Sequence, residues 1–456
     1  MTPARRVDVA GIIDNQEKTW FAARVFLLCC VVMLADGFDN QAINYAAPSI
    51  IAEWGINRAL MTPVFNLSIV GAITGAILFA TLGDRYGRRP AAIGAVALFG
   101  GFTLAIPLAH NIVQLSLLRF FASLGIGGGM PLAMTLASDY ARSSNRAFAA
   151  TLLFVGYTAG SSGGGWLAAE IIPAFGWRSI FMVGGVGGLT IAAGLLIWLP
   201  ESIKFLALRR EADPRILAYA QKLQPSAKFG ATAAFAMEQA AASGATLKQL
   251  FADGRGAMTS CLRFALGFAF ATHFFLSQWL TTLLTPEIGF ANAARTQAVF
   301  QAGSALSFVF GYLIDRRGIP VAAIAMFAAF VPVAAIGVAT HSSGATMALA
   351  LISGILVLGG DVGISALPCL LYPPSIRSTA TGAAFGIGRI GAILGPMFAG
   401  LLIWLDMPLT TIFVLGAIPV LLSGAACVAL QAVVHQPAMS RETVLLGTPK
   451  ATSAGL

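Results

Sequence analysis

Apolar residues occur along this chain in runs of about 20 positions, separated by short breaks that contain charged residues, proline or glycine. A helix of about 20 apolar residues is long enough to cross the hydrocarbon core of a bilayer. The pattern therefore predicts two groups of six membrane-spanning helices on either side of a more polar stretch. The predicted spans are residues 26–50, 61–82, 91–109, 113–137, 147–172, 178–199, 259–284, 296–314, 319–340, 345–371, 378–404 and 409–432.

The composition supports this interpretation. Of 456 residues, 57% are hydrophobic and only 10% are charged, and the mean hydropathy is +0.81. These values exclude a water-soluble globule with a single buried core and indicate an all-α membrane protein. We expect five parts, which are an N-terminal segment, a six-helix bundle, a linker, a second six-helix bundle and a tail, at residues 1–25, 26–199, 200–258, 259–432 and 433–456.

The net charge of +9 could suggest a nucleic-acid partner, but the positions of the basic residues favour membrane topology as its cause. If the N-terminus is cytoplasmic, 23 of the 28 Lys and Arg residues fall on the inner side and only three on the outer side. Such a bias orients multi-pass proteins. We therefore predict cytoplasmic termini and a cytoplasmic linker, with the bilayer and not nucleic acid as the partner.

Two carboxylates, Asp36 and Asp39, interrupt the first apolar run. Each ionised aspartate within a span costs about 2.5 to 3.5 kcal/mol, so such residues usually face a protein interior or a watery path. Their spacing puts them on one helix face, which Asn40 and Asn44 continue. Two carboxylates so close in a low dielectric cannot both ionise cheaply, so at least one is a candidate proton carrier. The alternative is a carboxylate that hydrogen-bonds a helix break at Gly37.

Arg119 and Arg389 are the basic residues predicted to lie within the membrane. A buried guanidinium needs an anionic partner, which for Arg119 is either an aspartate of the first span or a bound carboxylate. Asp361 is a third membrane carboxylate, in the tenth span. It could carry a second proton, bind a hydroxyl group of a ligand or compensate a nearby arginine.

The two halves repeat one loop. LGDRYGRRP at 82–90 follows the second span, and GYLIDRRGIP at 311–320 follows the eighth. The recurrence predicts a transporter built from two related bundles, with a charged latch on the cytoplasmic side. The alternative is a basic loop that only fixes topology. The predicted latch residues are Asp84, Arg85, Arg88, Asp139, Asp315, Arg316 and Arg377.

These loops, RFFASLGIGGGMP in the fourth span and PESIKFL after the sixth resemble the major facilitator superfamily. DGFDNQAINYAAPSI and YPPSIRSTATGAAFGIGRIGAILGP resemble its aromatic acid:proton symporter family, which includes 4-hydroxybenzoate and protocatechuate carriers. The resemblance implies the major facilitator fold, with twelve transmembrane helices in two pseudo-symmetric bundles. It also implies import of an aromatic carboxylate with protons across a bacterial inner membrane, and an interaction of Arg119 with an acid of the first span.

Proton coupling is accordingly predicted for Asp36, Asp39 and Arg119. Arg389 is the candidate for binding a substrate carboxylate, its alternative being a gate or a cation that reaches the headgroups. Asp361 and Ser365 depart from the family pattern and indicate an altered substrate pocket. The predicted substrate-binding residues are Arg389, Asp361, Ser365, Gln278, His273, Trp279 and Asn44.

The glycines at 125–129 are not a nucleotide-binding fingerprint, because no strand precedes them. With no Walker loop, metal-ligand cluster or nucleophile motif in the sequence, we expect no enzyme activity, no metal and no cofactor. The proton gradient is the expected driving force, and the expected state is a monomer. A carrier of the same fold for a non-aromatic organic acid or another small metabolite, or an exporter, remains as the alternative.

Overall fold

Nearly every residue in the described part of the chain is helical. The computed structural model describes residues 6–17, 20–209, 213–227, 229, 234–236, 247–252, 254–373 and 376–435. Its long helical segments, labelled α1 to α12, are α1 Trp20–Trp54, α2 Met61–Tyr86, α3 Arg88–Ala105, α4 Ile112–Tyr140, α5 Arg146–Phe175, α6 Arg178–Trp198, α7 Gly256–Ile288, α8 Phe290–Ala302 continued by Ser307–Arg317, α9 Ile319–Ile336, α10 Ser343–Leu371, α11 Arg377–Trp404 and α12 Leu409–Val434.

Shorter elements flank these helices. Two short strands, one in the N-terminal segment and one in the linker, pair in parallel and join these two segments. These elements are β1 Arg6–Asp8, β2 Ala234–Ala236, the short helices Val9–Asp14, Ile203–Arg209 and Pro214–Leu223, and the 3-10 turns Arg58–Leu60, Ile106–Leu108, Ser143–Asn145, Leu247–Leu250, Gly303–Leu306 and Ala339–His341.

Length and apolarity suit the helices to a membrane. In the described residues, eleven helical segments are long and apolar enough to cross a bilayer. The helix outside that set, α5, has 30 residues and packs along α1 and α8. The observed helices match the predicted spans one for one, but several are longer, because polar residues at the helix ends remain helical. For example, α1 has 35 residues, and α8 contains the 3-10 turn Gly303–Leu306.

The bundle α1–α6 and the bundle α7–α12 meet mainly on one side. We call the end of each bundle near the linker the linker side, and the opposite end the far side. Across the bundle interface, Arg295 on α8 contacts Glu170 on α5 at 2.6 Å on the far side, and the hydroxyls of Thr158 and Ser304 lie 2.8 Å apart near the middle.

Burial of apolar residues follows the same division. One buried cluster is continuous from the far side of the first bundle into the second, through residues such as Tyr45, Phe65 and Trp279. The linker-side half of the first bundle forms a separate cluster with the N-terminal segment and the linker, which includes Val25 and Leu223. The contacts between the bundles named above therefore lie on the far side and near the middle.

Gly37 does not break α1, which is helical from Trp20 to Trp54. The interpretation that a carboxylate satisfies a helix break at Gly37 is therefore wrong. A Cβ at Gly37 would lie 2.1 Å from the carbonyl oxygen of Tyr157 on α5. The glycine lets the two backbones approach closely beside the two aspartates.

Gly37→Ala is expected to destabilise the protein by about 1 to 3 kcal/mol, because the added methyl group forces α1 and α5 apart. Gly163→Ala on α5 is the matched control, since a Cβ at Gly163 has no neighbour within 4 Å. That control gains helix propensity without a clash. Unfolding in detergent, followed by circular dichroism, compares the two variants. Equal stability of both variants would show that the close approach is not required.

Candidate functional site

The two α1 carboxylates lie in the interior of the first bundle, and only one of them has a cationic partner among the described residues. Asp36 is 1% exposed and Asp39 is fully buried. Arg119 on α4 places Nη1 3.3 Å from Oδ2 of Asp39 and 3.4 Å from its backbone oxygen. The predicted contact between Arg119 and an acid of the first span is thus present, and the acid is Asp39.

This cluster contains several buried polar atoms without a hydrogen-bond partner among the described residues. They include Oδ1 of Asp36, Oδ1 of Asp39, and Nε and Nη2 of Arg119. A buried polar group without a partner is costly, and an unpaired buried charge costs more. The cluster is therefore electrostatically balanced only in part, and its stability responds strongly to a proton at either carboxylate.

The polar face of α1 continues beyond the aspartates and contacts α5 of the same bundle. The side-chain amide of Asn40 donates to the Tyr157 hydroxyl on α5 at 2.7 Å. Tyr157 lies within electrostatic range of both Asp36 and Arg389. Tyr157 was not predicted from the sequence, since a lone tyrosine in an apolar helix carries no signal of such a position. It therefore lies near charged groups of both bundles.

Arg389 lies near the middle of α11 and is half-buried. Within the described ranges it forms no ion pair and no hydrogen bond. Tyr157 is close enough to interact with it electrostatically. The adjacent Gly388 is in close contact with Phe270 on α7. A guanidinium without an ion pair in the described ranges, on a helix that packs against Phe270, can accept a carboxylate.

His273 and Asp361 form the second polar centre, in the second bundle. Nδ1 of His273 on α7 lies 2.7 Å from Oδ2 of Asp361 on α10. The imidazole stacks on Phe274 at 4.8 Å and approaches Phe270 at 6.2 Å edge to face. Of the three roles predicted for Asp361, compensation of an arginine is wrong, because its partner is the histidine. Oδ1 of Asp361 is buried and has no partner among the described residues.

Trp279 does not line an accessible site. Its ring is fully buried, its Nε1 donates to the carbonyl of Pro396 at 3.1 Å, and it meets Phe65 of the first bundle edge to face at 5.2 Å. The prediction of a substrate contact is therefore corrected to packing between the bundles, because the residue lies in the shared far-side core.

The other predicted pocket residues occupy varied positions. Gln278 is buried, and its Oε1 has no partner among the described residues. Asn44 is buried and donates to Gln41 at 2.7 Å, which keeps it within the α1 polar face. Ser365 is half-buried one helical turn after Asp361. Their roles in binding stay predictions.

A cluster of charges surrounds Asp139 at the linker-side end of α4. Its Oδ2 accepts from Nη1 of Arg88 at 2.5 Å and from the hydroxyl of Ser202 at 2.6 Å, and Nζ of Lys204 lies 3.4 Å from Oδ1. Burial lowers the pKa of Lys204, an effect that the charge of Asp139 opposes. Two of the predicted latch residues, Asp139 and Arg88, are therefore in contact, although Ser202 and Lys204 were not predicted from the sequence.

Glu201 fixes the start of α3. Its Oε1 accepts from the backbone N–H of Arg88 at 2.9 Å and of Arg89 at 3.1 Å, so the carboxylate lies at the positive end of the helix dipole. Gly87 precedes them at φ +114, and a Cβ there would lie 2.3 Å from Glu201 Oε2. The carboxylate that binds the start of α3 is thus Glu201, and not the predicted latch residue Asp84.

Asp139→Asn is expected to lower stability by about 3 to 5 kcal/mol, because it leaves the largely buried Arg88 and Lys204 without their shared carboxylate. Asp84→Asn in the last turn of α2 is the matched control, since the Asp84 side chain is exposed. Chemical unfolding in detergent measures both. A stable Asp139→Asn protein would show that Ser202 and solvent suffice to hold the two cations.

The remaining latch residues make only local contacts. Arg209 donates to the backbone oxygens of Asp84 and Arg85 at 2.9 and 3.2 Å. Arg85 lies over the ring of Tyr86 at 5.3 Å. In this conformation the first-half loop is therefore bound to its own bundle and linker.

The second-half loop repeats part of this pattern. Arg316 lies over the ring of Tyr312 at 4.5 Å, as Arg85 does over its own tyrosine. Arg377 donates from Nε to the carbonyl of Tyr372 at 3.3 Å. The side chain of Asp315 lies outside the described residues. The gating role of these residues stays a prediction.

A metal site would need several ligating side chains close together. In the part of the chain that the structure describes, no group of three or more His, Cys, Asp or Glu residues is arranged to hold a metal ion. The pair of His273 and Asp361 brings together only two such side chains, and its geometry suits proton exchange and hydrogen bonding.

Sequence comparisons relate the chain to known transporters. The profile described as Major Facilitator Superfamily matches residues 29–319. The 4-hydroxybenzoate transporter PcaK of Pseudomonas putida is 36% identical over 398 residues, which cover 86% of this chain and 88% of that protein. The gallate transporter of Pseudomonas putida is 31% identical, with 93% and 95% covered. The 3-(3-hydroxy-phenyl)propionate transporter of Escherichia coli is 30% identical, with 88% and 91% covered.

Solved structures show the same fold at lower identity. A bacterial homologue of the human lysosomal transporter Spinster, described as inward-facing and unoccupied, has a TM-score of 0.68 and 17% identity, with 94% of this chain and 99% of that chain covered. The nucleoside transporter NupG has a TM-score of 0.67 and 12% identity, with 90% and 99% covered.

Proposed function

The chain belongs to the major facilitator superfamily, whose matched relatives are transporters and not enzymes, and we propose that it imports an aromatic carboxylate together with protons. One observation carries this proposal. The buried carboxylate of Asp36, without a cationic partner among the described residues, lies one turn from the Asp39–Arg119 pair. A membrane interior tolerates such a group when it is neutral, so the site suits a proton that is bound and released.

Asp36 is the proposed proton carrier. A buried carboxylate with no cation in contact is more stable in its protonated form, whereas the Arg119 guanidinium 3.3 Å from Asp39 favours the ionised form of Asp39 relative to that of Asp36. Release of the proton from Asp36 places a second negative charge one turn from Asp39. The two carboxylates then compete for Arg119, and the balance of charge between α1 and α4 changes.

The second bundle supplies the proposed substrate contacts. The guanidinium of Arg389 binds the carboxylate of the substrate, because it is half-buried and has no partner within the described ranges. Phe270 and Phe274 provide apolar surface for a ring, and the His273 and Asp361 pair offers hydrogen bonds to a ring hydroxyl. The relatives named for 4-hydroxybenzoate and gallate support an aromatic acid as the substrate class.

Transport requires that the far-side contacts break and the linker sides come together. The contacts that must open include the Arg295–Glu170 pair and the ring contact of Trp279 with Phe65. We propose that a proton at Asp36 and a carboxylate at Arg389 together neutralise the two charged groups that lie within electrostatic range of Tyr157. The two bundles then rock around a central site, as in alternating access.

The proposed setting is a bacterial cytoplasmic membrane, with both termini and the linker in the cytoplasm. The excess of Lys and Arg on the linker side supports this orientation. The proton gradient is the proposed driving force, with no cofactor, and the proposed state is a monomer.

The test is uptake of radiolabelled 4-hydroxybenzoate into proteoliposomes that contain the purified chain. We expect accumulation when the side from which substrate enters is acidic, and loss of accumulation when an ionophore collapses the gradient. A competition series of benzoate, gallate and a non-aromatic acid such as succinate identifies the substrate class. Uptake that is the same with and without the proton gradient contradicts proton coupling. A preference for succinate supports the non-aromatic alternative.

A further inference from the structure

A cavity of about 480 Å³ lies on the linker side of the first bundle, away from the proposed transport site. Its walls come from the start of α1, the connection between α2 and α3, the end of α6 and the short helix Pro214–Leu223 of the linker. It is therefore built from the membrane domain and the linker together. Neither Asp36 nor Arg389 contributes to it.

Four cations line this cavity, but protein groups satisfy only two of them among the described residues. Arg89 donates to the carbonyls of Leu199 and Leu196, each at 2.6 Å. Arg215 forms two hydrogen bonds to the carboxylate of Asp213, at 2.8 and 3.0 Å. These residues have protein partners and contribute positive potential without needing a ligand.

Arg24 and Lys222 have no such partner. Across the ranges that the structure describes, neither forms an ion pair or a hydrogen bond, and Nε of Arg24 is buried without an acceptor. Both cations lie over the same aromatic ring, that of Phe21, at 5.6 and 5.5 Å from its centre. The carboxylate in the cavity wall, that of Glu201, already accepts backbone N–H groups at the start of α3. Two cations are thus held together with no free anion between them in the described part of the chain.

The rim of the cavity has the character of a membrane interface. Trp198 is 52% exposed and Tyr86 is 61% exposed, while the apolar Ile197 beside Trp198 is 72% exposed. Exposed tryptophan and tyrosine are enriched where the bilayer meets water. A ligand in the cavity can therefore place a charged head near Arg24 and Lys222 and apolar chains along the end of α6.

From these observations we infer that the cavity binds the phosphate group of an anionic phospholipid. Guanidinium and ammonium groups both form short, charge-assisted hydrogen bonds to phosphate oxygens. Basic pockets between membrane helices bind anionic headgroups by this chemistry. Because the cavity joins α1, α3 and α6 to the linker, a bound lipid stabilises the linker against the first bundle.

The experiment titrates the purified full-length chain in detergent with phosphatidylglycerol, phosphatidylcholine or inorganic phosphate, and measures affinity from the shift in unfolding temperature. The test variant is Arg24→Gln with Lys222→Gln. The matched control is Lys248→Gln with Arg317→Gln, which removes two exposed linker-side cations outside the cavity. We expect wild-type protein to prefer phosphatidylglycerol, and the test variant to bind it roughly 30-fold more weakly, at about fivefold for each cation.

Equal affinity of the wild-type protein and the test variant for phosphatidylglycerol overturns the proposal, as does an equal loss in the control variant. If inorganic phosphate binds as tightly as phosphatidylglycerol, the assignment of the ligand as a phospholipid is overturned. Should the double variant fail to fold, the single change Lys222→Gln at an exposed position replaces it, with an expected loss of about fivefold. An unchanged affinity in that single variant likewise contradicts the assignment.

Discussion

Asp36→Asn is expected to abolish accumulation of substrate against its gradient while the protein stays folded. A pH difference of one unit supplies about 1.4 kcal/mol per proton, enough for about tenfold accumulation with one coupled proton. Asparagine imitates the protonated carboxylate but cannot release a proton, so the variant should only equilibrate substrate across the membrane. Uptake into proteoliposomes under an imposed pH gradient measures the accumulation. Exchange of labelled for unlabelled substrate measures the uncoupled movement of substrate across the membrane.

Asp39→Asn gives the contrast that separates the two acids. It removes the carboxylate that lies 3.3 Å from Arg119 and leaves a fully buried guanidinium without a counter-charge. Removal of one partner from a buried ion pair typically costs about 3 to 5 kcal/mol. We therefore expect Asp39→Asn to lower the unfolding midpoint strongly, whereas Asp36→Asn leaves it unchanged or raises it.

The control for both variants is Asp406→Asn, at an exposed position between α11 and α12 where φ is +50. Asparagine tolerates this backbone conformation as well as aspartate does. Both accumulation and stability should match those of the wild-type protein. If Asp36→Asn still accumulates substrate in response to the pH gradient, Asp36 is not the proton carrier, and Asp39 takes that role in the mechanism.

The fold was predictable from the sequence because each span has its own apolar signal. A run of about 20 apolar residues predicts a helix without knowledge of its neighbours. The parallel pairing of Arg6–Asp8 with Ala234–Ala236 had no such signal, since three-residue strands far apart in sequence lack a recognisable alternation. Helix ends were less predictable, because helices continue beyond the apolar runs, as at Trp20 and Arg317.

The candidate site was predictable in its residue types more than in its pairings. The cost of charge in a membrane identified Asp36, Asp39 and Arg119 from their positions within apolar runs. Which acid pairs with the arginine depends on the rotation of α1 against α4, and the sequence does not encode that rotation in any local pattern. Likewise, His273 and Asp361 are 88 positions apart, and only the packing of α7 on α10 brings them together.

Arg389→Ala is expected to weaken substrate binding by at least about tenfold while the protein remains folded. Because Arg389 has no ion pair among the described residues, its removal leaves no protein carboxylate without a partner. A charge-assisted hydrogen bond contributes about 1.5 to 3 kcal/mol, and a bidentate contact contributes more, so affinity should fall by at least about tenfold. Calorimetric titration with 4-hydroxybenzoate, or its effect on the unfolding temperature, measures the loss.

Arg389→Lys tests whether the substrate carboxylate needs two parallel N–H donors or only a positive charge at this position. Lysine keeps the charge but cannot present two parallel N–H groups to a carboxylate, so partial binding is expected. Arg58→Ala is the matched control, because it removes an exposed arginine on the far side. If Arg389→Ala retains wild-type affinity while Asp36→Asn loses accumulation, the substrate carboxylate binds elsewhere. The partly unpaired Arg119 is then the next group to test, since its Nε and Nη2 also lack acceptors among the described residues.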